Sequence, residues 1–214
     1  MTTVAFVIYR LWAYKIFIYL KKKLRKKKIK FIIISPKNRE FKYKNTIVVD
    51  PKNNKKLKQI LIKKKVNIIL FYGWSWIVDK NIYENFLSLC LHPSKLPDFK
   101  GGSPIQHQII NNLKESAVSV LKISKNLDGG DIYDQKKISL SGKLSKIFDR
   151  IALEGYKITS KLIYDYEQNN LKFKKQKKNK KKIFKRRKNS ESRIDLDKIK
   201  SKNLIYLKNF IRML

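Results

Sequence analysis

The chain has 214 residues, with 52 lysines and arginines against 16 acidic residues and a formal charge of +36. Hydrophobic residues make up 43% and aromatics 12%, which excludes an intrinsically disordered protein and allows one domain, with or without a tail, around a sizeable core. One cysteine, Cys90, and two histidines, His92 and His107, exclude a disulfide framework and a cysteine-only zinc site and disfavour a mixed one, so a cytoplasmic, metal-free protein is expected.

Thr3 to Leu20 is largely apolar and is followed by a lysine cluster. A signal peptide carries its charge before the apolar run and a small-residue cleavage site after it, and neither is present. Arg10 and Lys15 interrupt the run, against a spanning helix, so no transmembrane segment is expected. The segment reads as a buried strand, Val4 to Tyr9, and an amphipathic helix from about Leu11 to Leu24. A signal anchor is the alternative.

Phe31 to Ser35 and Thr46 to Val49 follow as short strands closed by Pro36 and by Asp50-Pro51. Asn53 to Lys64 reads as a helix, Val66 to Tyr72 as a fully apolar strand, Lys80 to Phe86 as a short helix and Leu87 to Leu91 as a buried strand. Pro104 opens a helix, Ile105 to Leu113. Ala117 to Ile123 and Asp131 to Ile138 are strands on either side of Asp128-Gly129-Gly130. Leu144 to Gln168 shows helical spacing of Ile147, Ile151, Tyr156, Ile158, Leu162, Ile163 and Tyr166. Runs apolar on both faces, separated by helices, indicate an α/β fold: a Rossmann-like, mostly parallel sheet flanked by helices.

Composition changes after position 170. Of the 17 residues from Lys172 to Lys188, 12 are Lys or Arg, which reads as an exposed linker or basic arm. Ile194 to Leu214 is a moderately apolar helical tail. The expected division is therefore a catalytic domain over 1–170 and a basic linker with a short C-terminal segment over 171–214. Only eight of the cations are arginines, so the charge fits a coding bias toward lysine as well as a polyanionic partner.

Ligands of an open parallel sheet bind at the carboxyl ends of its strands. The turn after the first strand, Val7 to Leu11, has no G-x-G-x-x-G, and no Walker motif occurs anywhere, which disfavours nicotinamide cofactors and nucleotide hydrolysis. The strand ending at Leu91 leads into His92-Pro93-Ser94-Lys95-Leu96-Pro97-Asp98-Phe99-Lys100-Gly101-Gly102-Ser103-Pro104, a rigid turned loop. Further on, Leu127-Asp128-Gly129-Gly130 sets a carboxylate beside two glycines that let a ligand approach the backbone. A histidine and a carboxylate that meet across a cleft are one reading; a strand-end histidine and an ordinary turn are the other.

In this order the two pieces resemble the folate-dependent formyltransferase family, whose stretch reads approximately N-x-H-P-S-x-L-P-x-[FY]-x-G and later L-D-x-G. The match lies in Leu91-His92-Pro93-Ser94, Leu96-Pro97, Phe99, Gly101 and Leu127-Asp128-Gly129-Gly130, within a likeness covering roughly residues 1–165. The resemblance implies the formyltransferase fold and transfer of a formyl group from N10-formyltetrahydrofolate to an amine. It implies catalytic roles for His92, Asp128 and the position of Cys90. A pteridine would lie against Trp74, Ser75, Trp76, Ile77 and Val78, with backbone contacts around Asn126, Leu127 and Gly129. Core packing is the other reading of Trp74 and Trp76. Cys90 departs from the family, standing where an asparagine is usual, and a thiol is a much weaker hydrogen-bond donor.

Three acceptor classes follow from the family: glycinamide ribonucleotide, methionyl-tRNA and nucleotide-linked amino sugars. The 44 residues after position 170 are too few for the C-terminal barrel of the tRNA enzymes. Arg186 to Asp195 and Asn209 to Leu214 are similar to the C-terminal segment of sugar N-formyltransferases. A nucleotide-linked amino sugar is therefore the first expectation and methionyl-tRNA, reached through the basic arm, the alternative. A degenerate folate-binding relative and a basic nucleic-acid or membrane-surface protein are the non-enzymatic readings.

Overall fold

A computed structural model describes residues 1–177, 183–194 and 202–214. Its centre is a seven-stranded sheet in the order β3-β2-β1-β4-β5-β6-β7. The strands are β1 (Thr2–Ile8), β2 (Ile29–Ser35), β3 (Thr46–Val48), β4 (Ile68–Tyr72), β5 (Leu87–His92), β6 (Glu115–Lys122) and β7 (Ile132–Ser139). Pairing is parallel from β3 through β5 and antiparallel for β6 and β7, so the expected mostly parallel α/β sheet is what forms.

β1 and β4 lie at the centre because both of their faces are apolar. Val4, Phe6 and Ile8 face one layer, and Ala5 and Val7 the other, as the two-residue period of a strand requires. The first layer contains α1 (Leu11–Lys23), α4 (Pro104–Ile110), α5 (Leu144–Glu167) and, at its margin, α6 (Leu204–Arg212). α1 buries Ala13, Ile16, Phe17 and Leu20, a single stripe at helical spacing, and ends on Lys21 to Lys23, whose charge suits the negative end of the helix dipole. The second layer holds α2 (Asn54–Lys63) and α3 (Lys80–Tyr83). The apolar start of the chain is thus an inner strand and a packed helix. Among the described residues no helix is long and apolar enough to cross a membrane.

Boundaries move where the backbone turns left-handed. Val66, read as the start of a strand, belongs to the turn that ends α2: Lys65 has φ of 49° and the Val66 N–H donates to the Leu61 carbonyl. Asn112, with φ of 59°, ends the α4 segment short of Leu113. Between β4 and α5, the wholly buried Tyr72 donates to Thr159 Oγ1 at 2.9 Å, and Thr159 donates in turn to the Gly155 carbonyl. Tyr72→Phe removes the first bond and leaves the second, so it should cost about 1 kcal/mol, read as a lower urea midpoint with an unchanged slope.

The stretch expected as an exposed arm is tied to the domain wherever it is described. Lys174 exchanges two 2.8 Å backbone hydrogen bonds with Ile132, and residues 183–187 run beside Lys100 to Ser103. Residues 178–182 of that arm and 195–201 of the tail lie outside the described residues. In the tail, α6 and the residue after it bury Phe210 and Met213, and Arg212 donates to the Leu140 carbonyl.

Candidate active site

The carboxyl ends of β1, β4 and β5 meet where the strand order changes direction, the place where an open sheet leaves a crevice. On β5 the two-residue period turns Cys90 and His92 to the same side. His92 is buried, with Nε2 at 2.8 Å from the Phe99 carbonyl and Nδ1 at 3.3 Å from Asp128 Oδ2. Both neighbours are acceptors, so a singly protonated ring satisfies only one of them.

The loop after His92 is fixed at several points. Ser94 is fully buried and donates to the Asp98 carbonyl at 2.6 Å, Ser119 donates to the Ser94 carbonyl at 2.5 Å, and Gln108 donates to the Pro93 carbonyl at 2.9 Å. The peptide between Leu96 and Pro97 is cis. The β6–β7 loop is fixed to it in turn: Asp128 Oδ2 accepts from the Gly101 N–H at 2.8 Å, and Gln176 donates to the carbonyls of Asp128 and Gly130, each at 2.8 Å. The histidine and the carboxylate singled out in the sequence are therefore in contact, on two loops braced against each other.

Two cavities meet at this pair. The smaller, about 160 Å³, is lined by Phe71, Trp74, Trp76, Ile77, Val78, Cys90 and the segment Lys122 to Asp128. Its rings are close, with Trp74 and Trp76 centroids 4.7 Å apart. Aromatic and aliphatic side chains of Phe71, Trp74, Trp76, Ile77 and Val78 and the residues Ser124 to Asp128 thus line one slot. Trp74 also packs on the second core layer, so the readings of core and pocket both apply to it. Cys90 is half-buried, and its thiol is held well above its ordinary range by burial first and by the Asp128 charge second, which keeps it protonated.

The larger cavity, about 520 Å³, is bounded by Arg10, Trp12, Lys15, Gly73, Trp74, Ser75, His92, Gly101, Ser103 to Gln106, Phe148, Asp149 and Arg186. Trp74 is common to both cavities. Arg10 pairs with Glu40, and Lys15 with Asp149 at 2.6 Å, a hydrogen bond that lowers the Asp149 carboxyl. Arg186 donates to Ser75 Oγ at 2.7 Å and to Tyr9 OH at 3.4 Å.

Of the side chains expected against a pteridine, Trp74, Trp76, Ile77, Val78, Asn126 and Leu127 line the smaller slot. Ser75 lines the larger cavity instead, and Gly129 lines neither, its N–H closing a turn onto the Asn126 carbonyl. Sequence reasoning missed Gln176, Lys15, Trp12 and the place of Arg186 in the cavity. Arg10 was within its reach, because it follows closely on the carboxyl end of the central strand β1. No group of three or more His, Cys, Asp or Glu among the described residues is placed to hold a metal ion.

The formyl transferase family profile matches residues 17–162, more than half of the chain. The chain is similar to the methionyl-tRNA formyltransferase of Finegoldia magna, at 31% identity over 127 residues, 56% of this chain and 41% of that protein. It spans less than half the length of that curated relative. Among solved structures, a methionyl-tRNA formyltransferase from Clostridium thermocellum superposes with a TM-score of 0.73 at 26% identity, covering 100% of this chain and 83% of the other. A 4-N formyltransferase from Francisella tularensis superposes with a TM-score of 0.79, covering 99% of this chain and 87% of the other, at 17% identity, which speaks for the fold alone.

Proposed function

Because the chain belongs to the formyl transferase family, we propose that it transfers a formyl group from N10-formyltetrahydrofolate to an amine, and that this amine is carried by methionyl-tRNA. The observation behind the reaction is the contact of His92 with Asp128 at the junction of an aromatic slot and a larger cavity lined by cations. The slot fits a pteridine, held between Trp74, Trp76, Ile77 and Val78 and the backbone of Asn126 and Leu127. N10-formyltetrahydrofolate supplies a formyl group already attached to a poorly basic nitrogen.

In this reading the acceptor amine enters from the larger cavity. His92 Nε2, which faces the Phe99 carbonyl here, turns to the formyl oxygen, where negative charge develops as the amine adds; the proton lost by the amine passes to N10 as the C–N10 bond breaks, releasing tetrahydrofolate and the formamide. Asp128 orients the ring by setting its carboxylate against Nδ1. Cys90, still a thiol, borders the slot as a weak donor, which leaves His92 as the stronger support for the oxyanion.

Sequence identity favours the acceptor: 31% and 26% to methionyl-tRNA formyltransferases. The nucleotide-linked amino sugar, the first expectation from the sequence, is the second reading, supported by the likeness of Arg186 to Asp195 and Asn209 to Leu214 to the C-terminal segment of sugar N-formyltransferases. Release of tetrahydrofolate with methionyl-tRNA and a dTDP-amino sugar in parallel separates them. Turnover is expected with the aminoacylated RNA, and turnover with the sugar alone would reverse the order. All three tryptophans, Trp12, Trp74 and Trp76, line the two cavities, so their fluorescence reports folate binding directly. Quenching by folate with neither acceptor turned over would point to a binding protein without catalysis.

A further inference from the structure

The basic arm crosses the rim of the larger cavity as a short strap. Phe184 donates to the Lys100 carbonyl and accepts from the Gly102 N–H, both at 2.8 Å, which makes a parallel bridge to the loop after His92. The rings of Phe99 and Phe184 stack with centroids 5.0 Å apart, His107 Nε2 lies 2.9 Å from the Lys185 carbonyl, and the Arg187 N–H donates to Ser103 Oγ at 3.1 Å.

The two loop glycines make room for this strap. A Cβ on Gly101, whose φ is 99°, would stand 2.2 Å from the Phe184 carbonyl oxygen. A Cβ on Gly102 would stand 2.5 Å from the backbone nitrogen and Cα of Arg186. No larger residue fits without moving the strap.

What the strap delivers is the Arg186 guanidinium. The other two cations of the cavity, Arg10 and Lys15, are each neutralised by a carboxylate. Arg186 meets only the hydroxyls of Ser75 and Tyr9, which leaves its charge uncompensated among the described residues and part of its donor fork unused. A planar fork with spare N–H groups, facing a cavity that also holds His92, matches two oxygens of a phosphate.

We propose that Arg186, held in place by the strap over Gly101 and Gly102, is the specificity residue that binds a phosphate of the acceptor while its amine is presented to His92. This rests on the reading that the larger cavity takes the acceptor. The phosphate would be a phosphodiester next to the terminal nucleoside of an aminoacylated RNA, or a diphosphate of a nucleotide sugar.

Binding without turnover tests it. Tryptophan fluorescence of the full chain is titrated with cytidylyl-(3′,5′)-adenosine, with dTDP and with adenosine, which has no phosphate. Arg186→Ala should raise the dissociation constant for both phosphate-bearing ligands by about tenfold or more and leave that for adenosine unchanged. Gly102→Ala, which displaces the strap without altering the guanidinium, should do the same. The ligand more weakened by Arg186→Ala identifies the source of the phosphate. Unchanged phosphate binding in Arg186→Ala, or an equal loss of adenosine, would overturn the assignment. A loss in Arg186→Ala with none in Gly102→Ala would overturn the role of the strap. Absence of formyl transfer with Arg186-dependent phosphate binding intact would defeat the proposed reaction alone.

Discussion

His92→Ala is expected to lower kcat for tetrahydrofolate release by about 10²–10⁴-fold while folate still quenches the tryptophans. The imidazole is the one side chain that borders the larger cavity, is buried, and is held at both nitrogens by oxygen atoms of two braced loops. Its removal takes away the group placed to hold a proton at the developing oxyanion. The neighbouring thiol does not replace it, because burial and the Asp128 carboxylate keep Cys90 protonated and a thiol donates weakly. Deleting the ring also strands the Phe99 carbonyl, at about 1–3 kcal/mol of stability. His92→Asn, which keeps a polar group, is the companion variant. Both should lose turnover and retain folate binding. Turnover within about threefold of the parent in either variant would remove His92 from the chemistry.

The second large effect is expected from Asp128→Asn, a loss in kcat of the order of 10²-fold with little change in KM. The substituted amide preserves the shape of the carboxylate, and its oxygen keeps the Gly101 N–H, the bond that braces the two loops. Gln176 continues to hold the backbone carbonyl at that position, so the loop itself has no reason to move. What changes is the charge: the amide oxygen that keeps the Gly101 N–H is also the atom that faces Nδ1, so the ring keeps its acceptor there and loses the negative charge of the carboxylate. The ring stays oriented, but the carboxylate charge that supports it while it handles the proton is gone. A KM rise with kcat preserved would instead assign Asp128 to ligand binding, and a lowered urea midpoint would assign it to loop stability. The kcat-specific loss separates electrostatic support of His92 from both.

His92 and Asp128 are legible in the sequence because each lies in a short, self-contained stretch. His92 ends an apolar strand and begins a loop dense in proline and glycine, and Asp128 stands beside paired glycines. The alternation of Val4 to Ile8 and the helical stripe through Ile147, Ile151, Ile158 and Leu162 are legible for the same reason. Local periodicity records which face of a segment is buried, and burial is what those residues undergo.

Other features depend on which distant segments meet. The reversal of β6 and β7, the division of the expected pteridine residues between two cavities, and the bond of Gln176 to the Asp128 loop leave no periodic trace. Arg186 shows this most clearly: it bonds Ser75 across 111 positions and Tyr9 across 177, from within a lysine-rich stretch whose composition holds no sign that one guanidinium differs from its neighbours. Gly101 and Gly102 announce that something approaches their backbone closely, but not what. A missing Cβ specifies a space, and only the closed chain decides which segment fills it.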